Sequence, residues 1–139
     1  MKRIIIILMV ISSLAFGRKI IVKLATLAPE GTDWHGMLVE MGQEWKKATN
    51  GKVELRLYPG GVIGDERDMV RKMRIGQIHA AGMTTEGLSE IVPDFTAFYV
   101  PLAYEDSLDV NRVLDYMLPQ FEQKLEDGGF KLLYLSDLG

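Results

Sequence analysis

Along the chain the spacing of apolar residues alternates between a period of two and one near 3.6, the mark of strands interleaved with helices. Lys19 to Ala25 is rich in β-branched residues and reads as a strand. From Trp34 the apolar side chains fall at Trp34, Met37, Leu38, Met41, Trp45 and Ala48, one face of a helix whose other face carries Glu40, Gln43, Glu44, Lys46 and Lys47. Asn50-Gly51 stops that helix, since both residues accept left-handed backbone. Val53 to Tyr58 then alternates strictly, Pro59-Gly60-Gly61 interrupts it, and Asp65 to Arg74 resumes a helix that buries Met69, Val70 and Met73. Ile78 to Thr84, small and apolar, reads as a third strand.

Three strands separated by two helices form a βαβαβ run, whose right-handed crossovers make the strands parallel. The predicted fold class is therefore α/β with a parallel sheet. Beyond it, Pro93 and Pro101 bracket the aromatic segment Phe95, Phe98 and Tyr99. A second helical stripe follows at Val110, Val113, Leu114, Met117, Leu118, Phe121 and Leu125, with Ser107 as its expected N-cap. Pro119 lies inside that stripe and predicts a kink, or two short helices meeting there. Gly128-Gly129 leads into a fourth expected strand, Phe130 to Leu135, and Ser136 to Gly139 follow it with no closing helix. The chain is thus expected to be truncated in mid-fold.

The first seventeen residues stand apart from this pattern. Lys2 and Arg3 precede a mostly apolar run, Ile4 to Phe16, and the small residues Ala15 and Gly17 prepare a cut before Arg18. That is the layout of a cleavable signal peptide, and the run is too short for the roughly 20 residues that span a bilayer. The expected division is residues 1–17 as signal peptide and 18–139 as one lobe, with a periplasmic location. Removing the leader takes away two basic side chains and no acid, so the exported part is more acidic than the net −3 of the whole chain. An acidic chain lacks the basic face that nucleic acid requires. With no cysteine, disulfides, thiol nucleophiles and Cys-ligated metals are also excluded.

Enzyme chemistry finds little support in the remaining residues. The turn Pro59-Gly60-Gly61-Val62-Ile63-Gly64-Asp65-Glu66 matches no phosphate-binding spacing, and its two acids occupy the helix start where a phosphate would sit. They satisfy the helix dipole themselves, although Glu66 remains free to face a cleft. His35 and His79 are too far apart for a paired zinc motif, and no serine lies in a nucleophile elbow. No metal, cofactor or catalytic residue is expected. In open α/β sheets a ligand binds outside the carboxyl ends of the strands, which selects the loops Thr26–Trp34, Gly60–Glu66 and Thr84–Gly87. Trp34, at the helix start beside the first loop, is the one aromatic of its stripe expected to serve a site.

Taken in order, Lys23-Leu24-Ala25-Thr26, Gly51-Lys52-Val53-Glu54, Leu57-Tyr58-Pro59, Ile63-Gly64-Asp65-Glu66, Met73-Arg74-Ile75-Gly76-Gln77-Ile78 and Val100-Pro101-Leu102 resemble the N-terminal lobe of solute-binding proteins of TRAP transporters, the tripartite ATP-independent periplasmic systems. The resemblance spans about Ile20 to Gly139. It implies one lobe of a type II-like periplasmic binding protein, of which this chain covers less than half. It implies capture of a small organic acid, a mono- or dicarboxylate or a more apolar ligand, and delivery to TRAP membrane subunits driven by an ion gradient. Contact would be transient and with a membrane protein rather than with lipid.

By the same resemblance, ligand contacts come from Leu27, Glu66 and the pair Thr84 and Thr85, while the arginine that grips the ligand carboxylate lies beyond Gly139. Leu27 and Thr84 depart from the polar and acidic residues of sialic-acid-binding members, which implies a smaller or more apolar ligand. The rival expectations are an exported interaction domain without ligand capture and, with less support, a small exported α/β enzyme.

Overall fold

The computed structural model describes residues 18–101, 103, 104 and 106–135. The expected signal peptide, residues 1–17, and the chain end, residues 136–139, lie outside the described residues. Three parallel strands, β1 (Ile20–Thr26), β2 (Val53–Tyr58) and β3 (Ala80–Gly82), form a sheet in the order β2-β1-β3. β1 pairs with β2 from Ile20↔Val53 to Ala25↔Tyr58 and with β3 from Leu24↔Ala80 to Thr26↔Gly82. The chain leaves β1 to one side and returns across it, so its two crossovers cover opposite faces of the sheet.

The first crossover is helix α1 (Asp33–Ala48). Its N-terminus is closed by Thr32, whose hydroxyl oxygen accepts the His35 N–H. Its end is set by Asn50 and Gly51, at φ +51° and +77°, with the Gly51 N–H donating to the Lys46 carbonyl at 2.7 Å. Gly42 brings the helix close to the sheet, because a β-carbon there would stand 3.0 Å from that of Leu55. Leu38 is the buried anchor of the apolar stripe; Met37 is 53% exposed and Ala48 is exposed, so the expected six-residue face is narrower than its spacing suggested.

The second crossover, helix α2 (Glu66–Arg74), buries Met69 and Val70 as expected, and Met69 packs with Ala25 and Ile78 in a core completed by Tyr58, Ile63 and Met73. A short helix α3 (Thr85–Ser89), a 3₁₀ segment (Pro93–Tyr99) and helix α4 (Ser107–Asp127) build a second core. Phe95 and Phe121 stack there with ring centroids 4.2 Å apart, flanked by Leu88, Val92 and Leu125. Burying side chains of this size contributes about 1.5–3 kcal/mol each. Met83 touches both cores and joins them.

Four expectations are corrected. The third strand is shorter than Ile78–Thr84 because Thr84 is drawn out of the sheet toward Glu66. Residues 130–135 make no sheet pairing; the Phe130 N–H donates to the Leu125 carbonyl, and Phe130, Leu132 and Leu135 settle on the second core instead. The cap of α4 is Asp106, whose carboxylate accepts the Asp109 N–H at 3.0 Å, so Ser107 becomes the first helical residue. Of the two outcomes expected at Pro119, the split into two short helices does not occur: α4 runs as one element with Pro119 inside it, and Phe121 and Leu125 beyond it are buried.

Candidate functional site

All three strands point their carboxyl ends the same way, so the loops that follow them meet at one edge of the sheet. Backbone bonds join the first two. The Gly61 N–H donates to the Thr26 carbonyl at 3.1 Å, and the Gly60 N–H to that of Ala28 at 2.9 Å. Within the first loop the Thr26 hydroxyl oxygen accepts the Ala28 N–H at 3.2 Å. Pro59-Gly60-Gly61 thus works as a fold-back that seats the second loop on the first.

The turn into α2 carries the more specific chemistry. Asp65 caps that helix by accepting the Asp68 N–H at 2.8 Å. Gly64 has φ +115°, and a β-carbon there would lie 2.3 Å from Asp68 Oδ2, so a larger residue is excluded both by backbone and by space. The Lys72 ammonium donates to the Ile63 carbonyl and ties the turn to the helix.

Glu66 stands in the first turn of α2, next to the capping Asp65 as the adjacent pair suggested, and has a second role. It is 8% exposed, and its carboxylate turns toward the third loop, where Oε1 accepts the Thr84 N–H at 2.6 Å and Oε2 the Thr84 hydroxyl proton at 2.7 Å. Thr84 is the N-cap residue of α3 but makes no capping bond with its own side chain. Glu66 supplies the negative charge at that helix start in its place. Arg67, the next residue, reaches Glu90 beyond α3 with Nε and Nη2 at 2.9 and 2.8 Å, and that hydrogen-bonded partner holds its guanidinium above the ordinary arginine value.

The sequence-selected residues therefore fall into two groups. Glu66 and Thr84 are brought into direct contact, with Thr85 opening α3 immediately after. Leu27 and Trp34 sit on the first loop and the start of α1. Leu27 is 43% exposed and lies over Gly61, its Cδ2 3.2 Å from where a β-carbon would stand. Trp34 is half-buried, inclined against Tyr134 with centroids 6.3 Å apart, beside an apolar hollow of about 240 Å³ shared with Met37, Leu38 and Met41. A wider open groove of about 520 Å³ lies between α1 and β2.

Thr26 opens the first loop selected from strand direction without being singled out in it, and Gly82 and Tyr134 were not selected from sequence. Thr26 is 3% exposed and stands opposite Gly82 in the register of β1 and β3. A polar residue closing an apolar strand was the available signal for Thr26; Gly82 and Tyr134 had none without the tertiary fold. Among the described residues there is no group of three metal-ligating side chains, and no helix is long and apolar enough to cross a membrane.

Residues 24–139 match the family described as bacterial extracellular solute-binding protein, family 7. A solute-binding protein of Roseobacter denitrificans is 32% identical over 94 residues, which are 68% of this chain and 29% of the relative. The fold superimposes on a TRAP periplasmic solute-binding protein of Haemophilus influenzae with bound L-gulonate, at TM-score 0.69 and 30% identity, covering 84% of this chain and 38% of that one. It also superimposes on one from Citrobacter koseri with bound D-glucuronate, at TM-score 0.64 and 28% identity, covering 77% and 36%. The chain spans between 29% and 38% of the length of these relatives. With the family match running from the middle of β1 to Gly139, the chain belongs to family 7 of the bacterial extracellular solute-binding proteins, the TRAP class.

Proposed function

We propose that residues 18–139 form one wall of a periplasmic ligand cleft, reached after removal of residues 1–17, and that a second lobe supplies the other wall. The ligand is a small organic acid, held at the strand-end loops near Leu27, Trp34, Thr84 and Thr85, with Glu66 fixing the third loop. Binding is non-catalytic. The closed, loaded form is what TRAP membrane subunits recognise, a population shift in which ligand bridges two lobes.

The observation that carries this reading is the joining of all three loops into one unit by the protein's own hydrogen bonds, Gly61 to Thr26, Gly60 to Ala28 and Thr84 to Glu66. A pre-ordered wall loses little conformational entropy on binding. The ligands of the two relatives with 28% and 30% identity are hydroxylated sugar acids, which brings that class beside the smaller mono- and dicarboxylates expected from Leu27 and Thr84.

Thermal unfolding in the presence of D-glucuronate, L-gulonate and succinate tests it. A ligand that binds the folded state raises the midpoint in proportion to the logarithm of its concentration above Kd. A rise with at least one acid and none with its neutral analogue is expected. No rise with any acid, at concentrations well into the millimolar range, would count against a carboxylate site on this lobe.

A further inference from the structure

In the order β2-β1-β3, strand β2 is an edge of the sheet and pairs through one side of its backbone. The Ile20 N–H donates to the Lys52 carbonyl, so by the alternation of a strand Glu54, Arg56 and Tyr58 turn their backbone groups to β1, and Val53, Leu55 and Leu57 turn theirs outward. The Val53 N–H donates to the Thr49 hydroxyl oxygen at 3.0 Å, which leaves the N–H and C=O groups of Leu55 and Leu57 as an open ladder. Helix α1 roofs that ladder. Its Gly42 closes on Leu55, and Val39, 36% exposed, and Lys46 share that face of the helix, so the groove of about 520 Å³ combines free main-chain partners with an apolar wall. Its charges are ordered along the strand. Glu30 lies with Pro59 at the carboxyl end of β2, Lys46 borders the other end, and Arg56, between Leu55 and Leu57, points from the opposite face of the sheet. All three are exposed, and none makes an ion pair among the described residues.

We infer that this groove takes the free carboxyl end of an extended polypeptide as an added strand, antiparallel to β2, with apolar side chains facing Leu57 and Leu55 under α1 and an acid between them facing Arg56. Direction follows from charge: an antiparallel chain brings its carboxylate to Lys46 and its amino side to Glu30, whereas a parallel one sets like charges together at both ends. Register follows from the pleat. The residues facing Leu55 and Leu57 bond to the edge and turn their side chains to the α1 face, while the residue between them turns its N–H away from β2 and meets Arg56 across the strands. The groove runs along the sheet edge rather than over the strand-end loops, so it does not depend on the organic-acid cleft.

The test is a titration of the chain with the N-acetylated peptide Lys-Thr-Val-Asp-Val, its carboxylate free, followed by amide resonances. Those of Leu55 and Leu57 should move and saturate, and their hydrogen exchange should slow. N-methylation of the last Val, whose N–H bonds to Leu55, is expected to weaken binding on the order of tenfold, while N-methylation of the Asp, whose N–H points away from β2, changes it little. Lys46→Gln, at an exposed position, should cost the free carboxylate about the same factor and leave binding of the C-terminal amide unchanged. If neither Leu55 nor Leu57 responds to millimolar peptide, if the two N-methylated peptides bind alike, if the amide binds as tightly as the acid, or if the shifts fall at Thr84 and Thr85 instead, the groove is not a carboxyl-end site. Protection of Leu55 and Leu57 that rises with protein concentration in the absence of peptide would put a second copy of the chain on the edge and overturn the assignment as well.

Discussion

Glu66 accepts two hydrogen bonds from Thr84, one from its backbone at 2.6 Å and one from its hydroxyl at 2.7 Å, across 18 positions of sequence. The first residue of α2 thereby holds the first turn of α3. Hydrogen bonds to a charged acceptor contribute about 1.5–3 kcal/mol. Glu66→Ala is accordingly expected to lower stability by about 2 kcal/mol in urea unfolding, and Glu66→Gln by less. Thr84 amide exchange should accelerate in both; an unchanged Thr84 amide would show that the loop is held by something else.

Glycines at two helical positions should respond in opposite directions. At Gly87 a β-carbon would stand 2.7 Å from Glu66 Oε2 and 2.8 Å from Glu66 Cβ, so Gly87→Ala should destabilise by about 1–3 kcal/mol. At Gly36, in α1, nothing lies within 4 Å, and Gly36→Ala should stabilise by about 0.5–1 kcal/mol through helix propensity. Paired chemical denaturation curves decide both signs.

Asp106→Ala should cost about 0.5–2 kcal/mol, because it removes the acceptor for the Asp109 N–H at the start of α4. Ser107→Ala, one residue further in, should be nearly neutral. Comparable losses at both positions would return the cap to Ser107.

Acid should weaken the fold through two surface pairs. The hydrogen bond and charge of Lys124, 2.7 Å away, hold the Asp94 carboxyl below the usual carboxylate range, and Lys19 does the same for Glu54. A carboxyl whose folded value is depressed contributes stability that is complete above its unfolded value and is lost as pH falls through the folded one. The unfolding midpoint should therefore drop from about pH 4 downward. Lys124→Met should flatten part of that slope, and added salt should shrink the difference, since both pairs are exposed.

The elements read correctly from sequence are those whose pattern is local. β1, β2, α1 and α2 each carry their own period, and Asn50-Gly51 ends α1 by backbone preference alone. What sequence could not show is competition between partners. Phe130 to Leu135 has the composition of a strand, yet its apolar side chains find Phe121 and Leu125 before any ladder forms. Asp65 and Glu66 look equivalent at a helix start, and only the arrival of Thr84 separates a cap from a latch. The three loops were legible from strand direction. The register that places Thr26 opposite Gly82 was not, because it is set by how β3 docks on β1.

The ladder between β1 and β2 is complete at Ala25 and Tyr58, before the first two loops begin. Beyond Thr26, which still pairs with Gly82, their side chains can therefore change without disturbing a rung of the sheet. Leu27, exposed over Gly61, is free to vary in this way, whereas Thr26, Gly64 and Gly87 belong to the frame. The loops can thus be re-tipped on an unchanged sheet, and a tip grafted from a relative should fold here so long as those three frame positions and Glu66 are kept.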